Sequence, residues 1–143
     1  MKLDFQTAFK AAKMPALALI AVTIIIAVLG FFGLNLGIIS LPVQFAILAY
    51  AGYNGVKAFK LDTANGALAG AIASFLSMII TVILNIALTL TGFIPLQALS
   101  AQTGMPMDAI MVFSLIGYAI GLVFSLVIGA VFGAIGAYFA KKK

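Results

Sequence analysis

The groups in this chain that could do chemistry are few. Asp4, Asp62 and Asp108 are its only acids, and no His, Cys, Glu, Arg or Trp accompanies them. The usual general bases, thiol nucleophiles, nitrogen metal ligands and guanidinium groups are therefore missing. Asp62 and Asp108 each precede an apolar run, where a carboxylate caps the positive end of a helix. In the topology derived below, Asp108 also lies across the membrane from the other two. The acids read as caps and charge balance rather than a catalytic pair, so the sequence points to a protein that is not an enzyme and uses no cofactor. Met105, Met107 and Met111 form a thioether cluster, a Cu(I)-binding chemistry. With no His or Cys beside them they read as flexible apolar packing, and no metal is expected.

The remaining polar groups of interest are neutral. Gln44, Thr81 and Asn85 fall inside apolar runs, and no ionisable residue lies well within one. Proton-coupled carriers, pumps and voltage sensors move or titrate an intramembrane charge, so those classes are disfavoured. Gln44 and Asn85 read as fasteners that hydrogen-bond between helices. The alternative is a pathway for small neutral solutes lined by the same residues.

The elements that position these groups follow from composition. Hydrophobic residues make up 65% of the chain and charged residues 8%, with a mean hydropathy of +1.29. Soluble domains carry about 25% charged residues. The apolar runs at 14–34, 39–57, 64–91 and 109–140 each reach the roughly 20 residues that a helix needs to cross a bilayer. The first run is too long for a signal-peptide core and is followed by no convincing cleavage site, so it reads as a permanent helix. No linker divides the chain, and residues 1–143 form one domain. The expected fold is an all-α integral membrane protein with four transmembrane helices in two hairpins. Short interfacial helices complete it: an amphipathic segment at 1–13, with Pro15 opening the first span, and "IPLQALSAQTG", from Pro95 to Gly104.

Lysine supplies every positive charge. Lys2, Lys10 and Lys13, then Lys57 and Lys60, then Lys141, Lys142 and Lys143 all fall on one side of a four-span topology. The opposite loops, 33–38 and 92–108, contain none. The positive-inside rule gives a multi-pass protein of the cell membrane with both termini cytoplasmic. Lys10, Lys13, Lys57, Lys60 and Lys141 to Lys143 should contact anionic headgroups of membrane lipids at the inner surface. They form neither a stripe nor a motif for nucleic acid, which is not an expected partner.

Small residues carry the packing signal. Gly117, Gly121, Ser125, Gly129, Gly133 and Ala137 recur every fourth position of the last run, and Gly66, Gly70 and Ser74 do so in the third. Because lipid offers no hydrophobic drive for helix association, small residues permit the close backbone approach that replaces it. Gly66 and Gly70 should meet the region from Gly129 to Ala137, and the stretch from Thr81 to Thr89 should meet Ser114, Gly117 and Gly121. A strict four-residue repeat drifts by about 40° per step, so Gly117 and Gly129 point about 120° apart on a straight helix. Either the helices wrap, or the two ends of the ridge serve different neighbours. A weak internal similarity, "AFKAAKMPALALIA" (8–21) with "AFKLDTANGALAGAIA" (58–73), suggests two parallel hairpins. The function expected is a small non-enzymatic integral membrane protein, a self-associating or accessory structural subunit of a membrane assembly. The alternative is an oligomeric pore or carrier for small neutral or apolar solutes.

Overall fold

The structure, a computed structural model, describes residues 3–32, 37–92 and 96–142. It contains the helices α1 (Phe5–Phe31), α2 (Gly37–Phe59), α3 (Thr63–Leu90), α4 (Leu96–Thr103) and α5 (Met107–Lys142). No strand occurs among the described residues. Three helices there are long and apolar enough to cross a membrane: α1, α3 and α5, each with a mean hydropathy of 2.4 over its best window. The expected second span, 39–57, lies within α2. This helix has the length, at 23 residues, but Pro42, Gln44, Tyr50, Tyr53 and Asn54 dilute its apolar character.

The N-terminal segment differs from its expected form. Residues 5–13 are not a separate helix lying in an interface but the opening turns of α1, which continues through Pro15. The reason lies in packing. Ala8, Ala11, Ala12 and Pro15 are all buried, so these turns are held on the bundle instead of floating beside it. At the other connection, α4 stops at Gly104, whose φ of +68° places it in the left-handed region that glycine adopts without steric cost. Pro95 and the side chains of Leu96 to Leu99 lie outside the described residues.

Helices α2 and α3 occupy the middle of the bundle. They pack on each other, and both pack on α1 and on α5, whereas α4 rests on α5. Nearly the whole buried core sits at the lysine end. It comprises Ala8, Ala11, Ala12, Ala16 and Leu19 of α1, Leu48 and Ala51 of α2, Ala69, Ile72 and Ala73 of α3, and Leu61 between α2 and α3. Ala137 and Ala140 of α5 are buried at the same end. At the opposite end large side chains such as Ile83, Leu90, Phe113 and Leu115 are exposed.

The two hairpins begin with the same device. The Asp4 carboxylate caps α1 by accepting from the Thr7 N–H at 3.0 Å, and the Asp62 carboxylate caps α3 by accepting from the Asn65 N–H at 2.8 Å. Aligning the caps superposes the buried residues Ala8, Ala11, Ala12, Pro15 and Leu19 on Gly66, Ala69, Gly70, Ala73 and Ser77, which are buried too. It also pairs Thr23 with Thr81, whose hydroxyls donate to Leu19 O and Ser77 O, both at 2.9 Å. This shared pattern of caps and burial runs in a different register from the "AFK" similarity. That similarity sets the second turn of α1 against Ala58 and Phe59, the last residues of α2.

One buried polar contact ties the two starts together. The Asp4 N–H donates to Asn65 Oδ1 at 2.8 Å, and Asn65 is only 5% exposed. Replacing Asn65 with Leu leaves that donor without its partner and should destabilise the bundle by about 1 to 3 kcal/mol. Thermal unfolding in mild detergent measures the loss, and hydrogen exchange should quicken first at the opening turn of α1.

Candidate helix-association interface

The small residues of α2, α3 and α5 converge at the lysine end, and there the backbones touch. A methyl group added at Gly133 would lie 2.7 Å from the Gly66 carbonyl oxygen and 2.9 Å from Gly70 Cα. One at Gly129 would lie 2.5 Å from the Gly70 carbonyl oxygen and 2.6 Å from Ser74 Cβ. At Gly66 it would meet Ala137 Cβ at 2.5 Å. At Gly70 it would collide with the backbones of Gly129 and Gly133. On the other side of α5, a methyl at Gly52 would overlap the Gly133 backbone, and one at Gly136 the Ala49 backbone. The space a side chain would take is filled by another helix's main chain.

This approach has a physical return. Dispersion between atoms about 4 Å apart is weak per pair but sums over every residue flanking the contact. Carbonyl oxygens set against glycine Cα atoms also admit weak Cα–H···O bonds. Around the junction the contact broadens into larger side chains. Phe45 of α2 stacks on Phe132 of α5 with centroids 4.3 Å apart and planes 8° from parallel. Leu61 reaches under Gly55, its Cδ1 3.2 Å from where a methyl would sit, and its N–H donates to the Gly55 carbonyl at 3.1 Å.

The upper part of the ridge is arranged differently. A methyl at Gly121 would meet only the end of a flexible side chain, Met78 Cε, at 2.8 Å. One at Gly117 would have nothing within 4 Å, so Gly117 does not meet the stretch from Thr81 to Thr89. Ser125 is half-buried and donates to Leu122 O at 2.8 Å within α5. Above it, Ile86, Thr89 and Leu90 of α3 face Met111, Ser114 and Tyr118 of α5 across a cleft of about 180 Å³.

Toward the other end, the donors of Thr81, Asn85, Thr89 and Ser114 turn into their own helices and do not fasten one helix to another. The Asn85 Nδ2 group donates to Thr81 O at 2.8 Å, and the Thr89 hydroxyl to Asn85 O at 2.8 Å. The Thr81 hydroxyl donates to Ser77 O at 2.9 Å, and the Ser114 hydroxyl to Ile110 O at 2.8 Å. Each satisfies itself on the carbonyl of the preceding turn of its own helix, a local option open to short polar side chains in apolar surroundings. Gln44 is half-buried and makes no hydrogen bond among the described residues. Among those residues no group of three or more His, Cys, Asp or Glu comes together. Met105, Met107 and Met111 are exposed, the last forming part of the cleft wall. Lys10, Lys13, Lys57, Lys60, Lys141 and Lys142 are exposed at the tight end of the bundle, and Lys143 lies outside the described residues.

Sequence reasoning left Gly136 and Asn65 out of the candidate site. Gly136 stands three residues from Gly133 and so falls off the four-residue ridge. The spacing Gly133, Gly136 was the signal of a second glycine face, turned toward α2.

The two ends of the ridge should respond differently to bulk. Gly133→Leu forces main chains apart and should destabilise the fold by at least about 1 to 3 kcal/mol, whereas Gly117→Leu should change it by less than about 0.5 kcal/mol. Thermal midpoints of the two variants in the same detergent decide it. Comparison with protein-family models, with curated proteins and with solved structures finds no match to this chain.

Proposed function

We propose that this chain is a four-span, non-enzymatic membrane protein with both termini cytoplasmic, acting as a self-associating structural subunit through the outer half of α5. The observation that carries the reading is the unequal use of the glycine ridge. Gly129 and Gly133 are consumed by contacts with α3, while Gly117 faces open space. Around Gly117 the same face of α5 presents Phe113, Ile120 and Phe124, all exposed. A glycine flanked by bulky apolar side chains at helical spacing is a shallow notch into which a second helix can settle.

Helix lengths support the same division. At about 1.5 Å per residue, α5 is roughly 54 Å long and α3 roughly 42 Å, against a hydrocarbon core of about 30 Å. The lower part of α5 serves the internal bundle, and the upper part, with little of its own chain to cover it, serves a neighbour. Four spans and the inward placement of the termini rest on the lysines, which stand at one end of the bundle, and on the length of α2. A pathway for neutral solutes draws less support, because Thr81 and Asn85 turn their donors into their own helix.

Two experiments test the reading. In mild detergent the wild-type protein should run as an oligomer, Gly117→Leu should reduce it to a monomer of unchanged thermal stability, and Gly133→Leu should lower stability itself. A monomeric wild type would overturn self-association. For topology, cysteines introduced in the chain otherwise free of them at Leu3 and Lys60 should label from one side of intact membranes and a cysteine at Gln97 from the other. Labelling of Leu3→Cys and Lys60→Cys from opposite sides would mean that α2 does not cross.

A further inference from the structure

The lysines are not equivalent in depth. The Asp4 N–H to Asn65 Oδ1 bond sets the starts of α1 and α3 at one level, and the approach of Gly66 to Ala137 fixes α5 against them. At about 1.5 Å per residue, Lys141 and Lys142 then fall near the level of Asp62, at the end of the bundle. Lys10 and Lys13 stand roughly 9 and 13 Å further along α1, toward the apolar middle. Both are exposed, and the opposite face of α1 carries the buried Ala8, Ala11, Ala12 and Pro15; Lys13 also borders a groove against Leu76, Ile79 and Ile80 of α3.

These two lysines share a recess. Phe5, Gln6, Phe9, Lys10 and Lys13 line a hollow of about 330 Å³ on the outward face of α1. Gln6, Lys10 and Lys13 follow helical spacing along one stripe, beside Phe5 and Phe9, which are 62% and 41% exposed. The Lys13 ammonium lies 5.6 Å from the Phe9 ring centroid, turned back toward the helix start. Among the described residues neither lysine has an ion-pair partner. The Asp4 carboxylate is engaged by the Thr7 N–H and, at 2.7 Å, the Thr7 hydroxyl; Lys10 attracts it from a distance without closing a salt bridge.

In the membrane-spanning reading these two ammonium groups lie at the inner end of the α1 span, where the anion within reach is one attached to apolar tails, a lipid headgroup. We propose that this recess binds one anionic glycerophospholipid of the inner leaflet, its phosphate between Lys10 and Lys13 with the Gln6 amide as a further donor, and its glycerol and upper acyl chains against Phe9 and Phe5. The proposal rests on the membrane-spanning reading above and narrows general headgroup attraction to one site on one helix.

The full-length protein in mild detergent, titrated with phosphatidylglycerol and separately with phosphatidylcholine, tests it by native mass spectrometry of retained lipid. Wild type should hold one phosphatidylglycerol in preference to phosphatidylcholine. Lys10→Gln with Lys13→Gln should weaken that binding by about thirtyfold, from about 1 kcal/mol per lysine, and Lys10→Arg with Lys13→Arg should restore it. Lys141→Gln with Lys142→Gln, the same change in charge, should leave it within about threefold of wild type. Equal losses in both glutamine pairs, no preference between the lipids, or displacement by soluble glycerol phosphate would each overturn the site. Alkaline carbonate extraction separates the two levels: protein released from membranes would overturn the spanning reading and the site with it, while embedded protein with equal losses would overturn the site alone.

Discussion

Main-chain contact between α3 and α5 is the constraint on which the rest of the structure depends. Four glycines, Gly66, Gly70, Gly129 and Gly133, each lack the one atom that would hold the helices apart. In an apolar solvent, where burying leucine against leucine gains little over leaving it in lipid, this closeness is the main source of attraction. Once α3 and α5 are in contact, Gly133 and Gly136 offer their other side to Gly52 and Ala49, and α2 is drawn into the same junction. The alanines of α1 then close the group, with Ala8, Ala11, Ala12 and Ala16 all buried.

Away from that junction the polar residues look to their own helices. Thr23, Thr81, Asn85, Thr89 and Ser114 all bond to carbonyls of their own helices, which satisfies their donors without requiring anything of a neighbour. The hydrogen bonds that tie elements of the bundle together, Asp4 to Asn65 and Leu61 to Gly55, lie at the lysine end. There the termini of α1 and α3 have unsatisfied N–H groups in any case, and Asp4 and Asp62 cap them. The Thr7 backbone N–H, followed by the Thr7 hydroxyl, holds the Asp4 carboxyl below its ordinary value of 3.8. Its cap is therefore present above that value and is lost as pH falls through the lowered one.

The bundle is consequently uneven along its length. One end is pinned by glycine, alanine and two caps, and the other is built of large side chains with a cleft between α3 and α5. The lower half of α5 cannot gain bulk without disturbing α2 and α3, whereas at Gly117 added bulk meets nothing within 4 Å; in the proposed function that division gives one helix two tasks. The proposed association face and the proposed lipid site both lie where the internal packing leaves α5 and α1 uncovered.

Much of this was legible in the chain of residues. Long apolar runs dictate helices because only intra-segment hydrogen bonding satisfies a backbone without water, and the ends of α3 and α5 fall within two residues of the boundaries read from the sequence. The absence of His, Cys, Glu, Arg and Trp limits the available chemistry however the chain folds. Three things depended on the tertiary structure. Whether Pro15 begins a helix or sits inside one was decided by the burial of Ala8, Ala11 and Ala12, which the amphipathic pattern of 1–13 does not reveal. Whether Asn85 bonds across helices or within its own was decided by the main-chain spacing, since a short amide takes whichever carbonyl is near. Which half of a uniform glycine ridge is used was decided by helical drift: the same four-residue repeat points about 120° apart at Gly117 and Gly129, and only the arrangement of α2 and α3 around α5 determines which direction finds a partner.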